Sequence, residues 1–227
     1  LYQRSASVPV RTFSIGFEEQ GFNEAEHARV VADHLGTVHQ EHIVTAREAQ
    51  EVIPLLPTMY DEPFADSSQI PTFLVSRFAR ESVTVALTGD GGDELFAGYN
   101  RHIMAPALWG RLSRVPAPVR AIAGHALGRL PSRFWSTALG LLPGHHPPHA
   151  GARLQKGFRV AANAGSADDV FASFLDEWSY QPSPIVGGAG APIPDQSLAA
   201  GEIERMCYAD AVDYLPDDIL CKVDRAS

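Results

Sequence analysis

One stretch constrains this chain more than any other: VTVALTGDGGDELFAGYNRH, residues 83–102. A β-branched apolar run ends there at a cluster of glycines and acids, and the cluster leads into a helical pattern. Glycine-rich turns between a strand and a helix typically bind phosphate, because backbone N–H groups point at the anion. Here Asp90, Asp93 and Glu94 stand where the anion would lie. The stretch predicts an α/β element and requires an explanation for its acids.

The glycine-rich loop departs from three familiar patterns. It lacks the Gly-Lys-Ser/Thr of a P-loop, and acids replace the third glycine of a dinucleotide fingerprint. It is also too compact for an EF-hand. A mixed site remains, in which N–H groups near Gly89, Gly91 and Gly92 cradle phosphate while a carboxylate holds a bridging Mg²⁺. The alternative is structural, since the helix dipole favours acids in a first turn and glycines favour any tight turn.

Strand and helix patterns alternate upstream of this loop. Residues 10–17 and 37–44 are β-rich, and Val83–Leu87 is a short apolar run typical of a strand buried on both faces of a parallel sheet. Helical patterns occupy residues 23–36, 46–60 and 71–82. This alternation predicts a parallel sheet with right-handed crossovers in the first hundred residues.

The first helical pattern carries its own boundary signals. Asn23 is the predicted N-cap, Glu26 completes a capping box, and Gly36 ends the helix. Its predicted apolar stripe consists of Ala28, Val31 and Leu35.

The pattern beyond Met104 is helical, with short amphipathic pieces separated by prolines. The last piece, residues 197–215, places five apolar residues near one face: Ile203, Met206, Ala209, Val212 and Leu215. Two segments are predicted loops, PGHHPPHAG with its three histidines and GGAGAPIP at residues 187–194. Cys207 and Cys221 are fourteen positions apart with no second pair, which indicates reduced thiols.

Composition narrows the classes of function. The 227 residues are 45% hydrophobic and 20% charged, as in a globular protein with a substantial core. The net charge of −9 gives no long-range attraction for nucleic acid or an anionic membrane, although a local basic patch stays open. No apolar run reaches the roughly 18 to 20 residues of a membrane span, and no signal-peptide pattern opens the chain. We expect a cytoplasmic protein with no nucleic-acid or membrane partner.

The loop LTGDGGDELFAGYNRH resembles the pyrophosphate-binding loop of the asparagine synthetase (glutamine-hydrolysing) family. Three further segments resemble that family in the same order: Thr12–Glu41, DEPFADSSQIPT, and YLPDDILCKVDRAS. The match covers most of Val10–His102 and returns over Tyr214–Ser227, while the helical middle matches loosely. Four ordered motifs are more specific than the loop alone, and they identify the chain as an internal part of the C-terminal synthetase domain.

The resemblance implies a parallel sheet of the PP-loop ATP pyrophosphatase type, which is adenine nucleotide alpha hydrolase-like, with a helical addition. Residues 1–104 would form the α/β nucleotide-binding core, and residues 105–227 the helical part of the same domain. The implied reaction is adenylation of the side-chain carboxylate of aspartate by MgATP, with release of pyrophosphate. Ammonia derived from glutamine then attacks β-aspartyl-AMP to give asparagine and AMP. ATP and Mg²⁺ are the implied cofactors, and a homodimer is left open.

The resemblance also implies which residues bind the nucleotide and the metal. Ile15 matches the position whose backbone lies by the adenine. Thr88, Gly89 and Asp90 match the substrate-side loop, which continues through Gly91 and Gly92 as part of the nucleotide site. Asp93 matches the Mg²⁺ ligand.

The implied catalytic residues are Asp90, Tyr99 and Lys222. Tyr99 and the acid at Asp90 match a pair near the acyl intermediate; Asp90 stands where some relatives have glutamate. Lys222 matches the motif lysine of the phosphate region, and the alternative is an ordinary surface lysine.

The sequence departs from the family in two places. Family members carry SGGxDSS, the PP-loop itself, before the part that matches Leu1, and an N-terminal glutaminase domain that begins with a nucleophilic cysteine. Neither is in this sequence, and neither Cys207 nor Cys221 can be that nucleophile. We therefore expect the 227-residue chain to be inactive by itself. The alternatives are a related adenylating, amide-forming enzyme of the β-lactam synthetase or peptide cyclase type, and a catalytically silent fragment.

Overall fold

The computed structural model describes residues 8–18, 25–143, 149–176 and 201–227. The chain forms two compact units, one comprising Leu1–Asp90 with Tyr214–Ser227 and the other Gly91–Asp213. The two units are sets of residues in mutual contact and do not test the predicted division of the domain at residue 104. That division stays a prediction.

The first unit is built around a βαβ element. Strands β1 (Arg11–Phe17) and β2 (Val38–Val44) pair in parallel, and helix α1 (Ala25–Leu35) connects them. Gly36 follows the helix at φ +67°, a left-handed conformation that glycine adopts without strain. Both predicted strands, the helix and its glycine end are therefore confirmed. Asn23, the predicted N-cap, lies outside the described residues.

The stripe predicted for α1 lies on one face, because Ala28, Val31 and Leu35 line the same cavity, but it is not the buried face of the helix. Ala25 and Ala32 are the buried residues of this helix, whereas Val31 and Leu35 are exposed. The small side chains occupy the buried positions, and the large apolar ones border a cavity described below.

The remaining helices of this unit follow β2. Helix α2 (Ala46–Val52) begins at Thr45, whose hydroxyl accepts a hydrogen bond from the N–H of Glu48. A 3₁₀ turn (Ile53–Leu55) and the short helix α3 (Leu56–Met59) come next, because Pro54 and Pro57 interrupt regular helix as predicted. Helix α4 (Gln69–Arg80) completes the series. Its Leu74 packs in a core with Val44 and Val52.

The third predicted strand, Val83–Leu87, is wrong. This segment is irregular, and Val85 and Leu87 are 80% and 99% exposed. An apolar run becomes a buried strand only where neighbouring strands satisfy its backbone N–H and C=O groups. In the described part of the chain, β1 and β2 pair only with each other. The parallel two-stranded sheet among helices is consistent with an α/β fold, and its assignment to the PP-loop type stays a prediction.

The second unit is helical, as the sequence predicts. Its helices are α5 (Gly92–Phe96), α6 (Asn100–Leu112), α7 (Ala117–Gly128), α8 (Ser132–Gly140), α9 (Ala150–Asn163), α10 (Ala167–Leu175) and α11 (Glu202–Ala209). Their core includes Ala105, Val160, Val170, Phe171 and Met206. The predicted loop at residues 187–194 lies outside the described residues, as do His145 and His146.

The chain continues from α11 through a π-helix, Asp210–Leu220, into helix α12 (Cys221–Ala226). On the predicted apolar face, Met206 and Ala209 are buried, whereas Ile203 and Val212 are exposed. Both cysteines are free thiols, as predicted. Among the described helices, none combines the length and apolar character that crossing a membrane requires.

Candidate functional site

The glycine-rich loop leads into a helix, as its sequence predicts. Helix α5 begins at Gly92, and Gly91 before it has φ +87°, the left-handed conformation that favours glycine. Thr88, Gly89 and Asp90 are exposed. A Cβ added at Gly89 or Gly92 would meet no described atom within 4 Å. The backbone of this loop is therefore open to the approach of a ligand.

Thr88 and Asp90 line a cavity of about 990 Å³ in the first unit. Helix α4, residues 83–86 and the end of the chain supply its other walls, and the cationic residues there are Arg77, Arg80 and Arg225. Guanidinium groups are well suited to phosphate and carboxylate. The cavity thus combines one predicted catalytic acid with cations that attract anionic ligands.

Ile15 borders a different cavity, of about 550 Å³, between β1 and α1. Val31 and Leu35 form part of its apolar wall, which accounts for their exposure. On its polar side, His39 is hydrogen bonded through Nδ1 to Thr12 Oγ1 at 3.0 Å and through Nε2 to Ser14 Oγ at 3.1 Å. An apolar pocket with a few fixed polar groups is the usual environment of a small organic ligand.

Asp93 lies in the first turn of α5 with its side chain exposed. The N–H of Gly98 donates to the backbone oxygen of Asp93 at 2.9 Å, so the chain folds back over this residue. No group of three or more His, Cys, Asp or Glu side chains could hold a metal ion in the part of the chain that the structure describes. Mg²⁺ usually binds through one or two carboxylates, with phosphate oxygens and water as its other ligands. A single exposed carboxylate beside an open glycine loop fits that mode.

Gly98 gives a direct test of whether the position of Asp93 matters. A Cβ at residue 98 would lie 2.0 Å from Asp93 Oδ1 and 3.0 Å from its Cα, so the carboxylate must move. If Asp93 is the predicted Mg²⁺ ligand, Gly98→Ala should raise the Mg²⁺ concentration needed for half-maximal activity by about tenfold, because a displaced carboxylate binds the ion less tightly. Gly110→Ala is the matched control, because a Cβ there meets no described atom within 4 Å. Equal Mg²⁺ dependence of the two variants would contradict the expectation.

Tyr99 contacts Glu94, Arg101 and the ring of His102 in the second unit. Its hydroxyl donates to Glu94 Oε1 at 2.5 Å, and Glu94 is only 1% exposed. The guanidinium carbon of Arg101 lies 3.8 Å from the centroid of the Tyr99 ring. These contacts fix both the plane of the ring and the direction of its hydroxyl. Glu94 is one of the acids of the glycine-rich loop, and its sequence position does not indicate this contact with Tyr99.

A buried ionic cluster in the same unit escaped the sequence analysis. The Asp210 carboxylate is completely buried, and its Oδ2 lies 2.7 Å from His102 Nε2 and 3.0 Å from Arg101 Nη2. Burial raises the pKa of Asp210, although Arg101 and His102 act in the opposite direction. One signal was available: Asp210 lies one turn after the apolar Met206, so its charge faced the core and needed a partner.

Lys222 is not the surface lysine of the alternative interpretation. Its side chain is 8% exposed, and Nζ donates to Asp66 Oδ2 at 2.9 Å and to Ser68 Oγ at 2.6 Å. Burial alone would raise the pKa of Asp66, but hydrogen bonds from Ser68 and Lys222 outweigh it and keep that pKa below its ordinary value. The ion pair joins α12 to the turn before α4. Asp66 lies in the segment DEPFADSSQIPT, whose sequence does not indicate that Lys222 is its partner.

Comparison with known proteins gives a consistent result. The family model described as asparagine synthase matches residues 1–227. The Bacillus subtilis protein "Asparagine synthetase [glutamine-hydrolyzing] 1" is 30% identical over 216 residues, which cover 95% of this chain and 32% of the relative. A Methanocaldococcus jannaschii protein, "Putative asparagine synthetase [glutamine-hydrolyzing] 2", is 45% identical over 94 residues, or 41% of this chain and 18% of the relative.

A human protein named "Asparagine synthetase [glutamine-hydrolyzing]" is 34% identical over 113 residues, covering 47% of this chain and 19% of the relative. No solved structure matches significantly. The chain spans about a third of the length of the curated relatives that match most of it.

Proposed function

This chain belongs to the asparagine synthase family, and on that premise we propose that it forms part of a site that uses ATP to convert aspartate into asparagine. The names of its relatives support asparagine synthesis at the level of the family. The observation that carries the proposal is the cavity of about 990 Å³, which Asp90 of the glycine-rich loop shares with Arg225 near the end of the chain. Two motifs that are far apart in sequence thus face one anion-attracting space.

The proposed reaction has two steps. A side-chain oxygen of aspartate attacks the α-phosphorus of ATP, pyrophosphate leaves, and β-aspartyl-AMP forms. Ammonia then attacks the acyl carbon, AMP leaves, and one proton is released as the amide forms. Both steps bring anions together, so positioned cations and N–H donors must offset their repulsion.

The proposed nucleotide site uses the residues of the loop. The N–H groups near Gly89, Gly91 and Gly92 would bind phosphate oxygens, and the backbone at Ile15 would lie by the adenine. Mg²⁺ bound at Asp93 would neutralise charge on the same phosphates. Asp90 and Tyr99 are proposed to orient the acyl group, and the Asp90 carboxylate is proposed to receive the proton from ammonia.

Lys222 is proposed to act on the phosphates from its buried position. An ammonium group has three N–H donors, and two of those of Lys222 go to Asp66 and Ser68. The third would donate to an oxygen of the leaving pyrophosphate. Asp66 and Ser68 would thereby hold the ammonium group in place.

We further propose that glutamine supplies the ammonia and that the reaction takes place in the cytoplasm. The proposed reaction is compatible with a homodimer of this protein. The second candidate is an adenylating enzyme with another nucleophile, which the same loop and lysine would serve equally well. Replacing ammonia by other amines distinguishes the two, since an asparagine-forming site yields its fastest turnover with ammonia.

An isotope experiment tests adenylation directly. The protein at its full natural length is given ATP, ammonia and aspartate labelled with ¹⁸O in its side-chain carboxylate. Because a carboxylate oxygen becomes part of the acyl phosphate bond, we expect one ¹⁸O atom in the AMP that is released. Labelled phosphate with unlabelled AMP would show attack at the γ-phosphorus and would contradict the proposal.

A further inference from the structure

Tyr99 lies at the end of a chain of contacts that begins at a buried carboxylate. Asp210 Oδ2 accepts a hydrogen bond from Arg101 Nε at 3.3 Å and forms an ion pair with Arg101 Nη2 at 3.0 Å. The Arg101 guanidinium in turn covers the Tyr99 ring at 3.8 Å. His102 Nε2 completes the cluster at 2.7 Å from Asp210 Oδ2, and its ring stacks on Phe171 at 5.7 Å. The carboxylate is therefore fixed on one side and fixes Arg101 on the other.

We propose that Asp210 is a positioning residue for Tyr99, which it serves by holding the Arg101 guanidinium flat against the phenol ring. With the ring plane set by Arg101 and the hydroxyl directed by Glu94, Tyr99 has a single orientation. The inference deepens the proposed function, because the orientation matters for turnover only if Tyr99 acts near the acyl intermediate. Arginine suits this task better than lysine, since its planar group stacks and pairs at the same time.

A contribution to stability does not explain why this cluster is present. Neither Asp210 Oδ1 nor His102 Nδ1, both buried, has a hydrogen-bond partner among the residues that the structure describes. Unsatisfied buried polar atoms are destabilising, and replacing a buried ion pair by apolar residues is often neutral or stabilising. A cluster that costs stability in this way is better explained by what it orients.

A double-mutant cycle at the protein's full natural length tests the inference. Asp210→Asn and Tyr99→Phe should each lower kcat by about tenfold or more, as the loss of supporting groups typically does. If Asp210 acts through Tyr99, Asp210→Asn should lower kcat less than about twofold in the Tyr99→Phe background. An undiminished loss in that background would show a general structural role and would overturn the inference.

Arg101→Lys is the second variant, because it leaves Asp210 paired with a cation while removing the flat stacking group. It should reproduce the kcat loss of Asp210→Asn and leave the KM for ATP unchanged. The matched control is Asp168→Asn, which breaks a different ion pair of the same unit, Arg205 Nε to Asp168 Oδ2 at 3.0 Å. The control should leave kcat unchanged.

Fluorine NMR separates failure of this inference from failure of the proposed function. A 3-fluorotyrosine at residue 99 alone should change its ¹⁹F shift in Asp210→Asn and Arg101→Lys, and keep it in Asp168→Asn. A changed shift with full activity of Tyr99→Phe would leave the positioning correct and overturn the catalytic role of Tyr99. An unchanged shift in both variants would overturn the positioning itself.

Discussion

Asp93→Asn should lower aspartate-dependent consumption of ATP by more than about a hundredfold at ordinary Mg²⁺ concentrations, with little change in melting temperature. Losing a residue that merely supports a metal ligand costs about ten- to a hundredfold, so losing the ligand's charge should cost more. Asp93 is exposed and lies in the first turn of α5, where asparagine keeps the same shape. Raising the Mg²⁺ concentration should restore part of the activity.

Glu202→Gln is the matched control for the structural interpretation of Asp93. Glu202 is also an exposed acid in a first helical turn, that of α11. If both acids only interact with a helix dipole, each substitution should cost less than about 1 kcal/mol of stability and leave activity intact. Near-normal activity of Asp93→Asn would show that Asp93 interacts only with the helix dipole and does not bind the metal.

Lys222→Met should lower both the stability of the protein and its rate of reaction. A second substitution can separate the two effects. Removing the ammonium leaves the Asp66 carboxylate, only 19% exposed, without its cation. Breaking such a buried pair from one side costs about 3 kcal/mol of stability. If Lys222 donates to the phosphates as proposed, its loss should also lower the rate by about a hundredfold or more. Urea unfolding and pyrophosphate release measure the two effects.

The double variant Asp66→Asn with Lys222→Met removes the unpaired charge. We expect it to recover most of the stability lost in Lys222→Met and none of the activity. Recovery of both would show that Lys222 only anchors α12 to the turn before α4. Loss of both in the double variant would show that the pair is needed for folding, which contradicts the proposed direct role.

The features that the sequence predicted correctly depend on neighbours along the chain. The alternation of β1, α1 and β2 follows from local hydrophobic periodicity, and the left-handed Gly36 follows from its place after a helix. The same holds for the proline breaks after α2 and for the turn at Gly91 before α5. Each of these depends on a few residues in a row, which is the range that single-sequence reasoning covers.

The features that it missed depend on partners far away in sequence. His102 and Asp210 are 108 residues apart, and Lys222 and Asp66 are 156 residues apart. No local pattern states that a given acid and a given cation will meet. The wrong prediction of a strand at Val83–Leu87 has the same cause. Strand propensity is a local property of these residues, whereas the strand with which they would pair must come from elsewhere in the fold.

If aspartate is activated by adenylation, the products formed from ATP are AMP and pyrophosphate. The protein at its full natural length is incubated with MgATP and ammonia, with and without aspartate, and the nucleotides and phosphates are separated and counted. We expect one AMP and one pyrophosphate for each asparagine formed, and neither product above background without aspartate. Aspartate-dependent release of ADP and inorganic phosphate would contradict it.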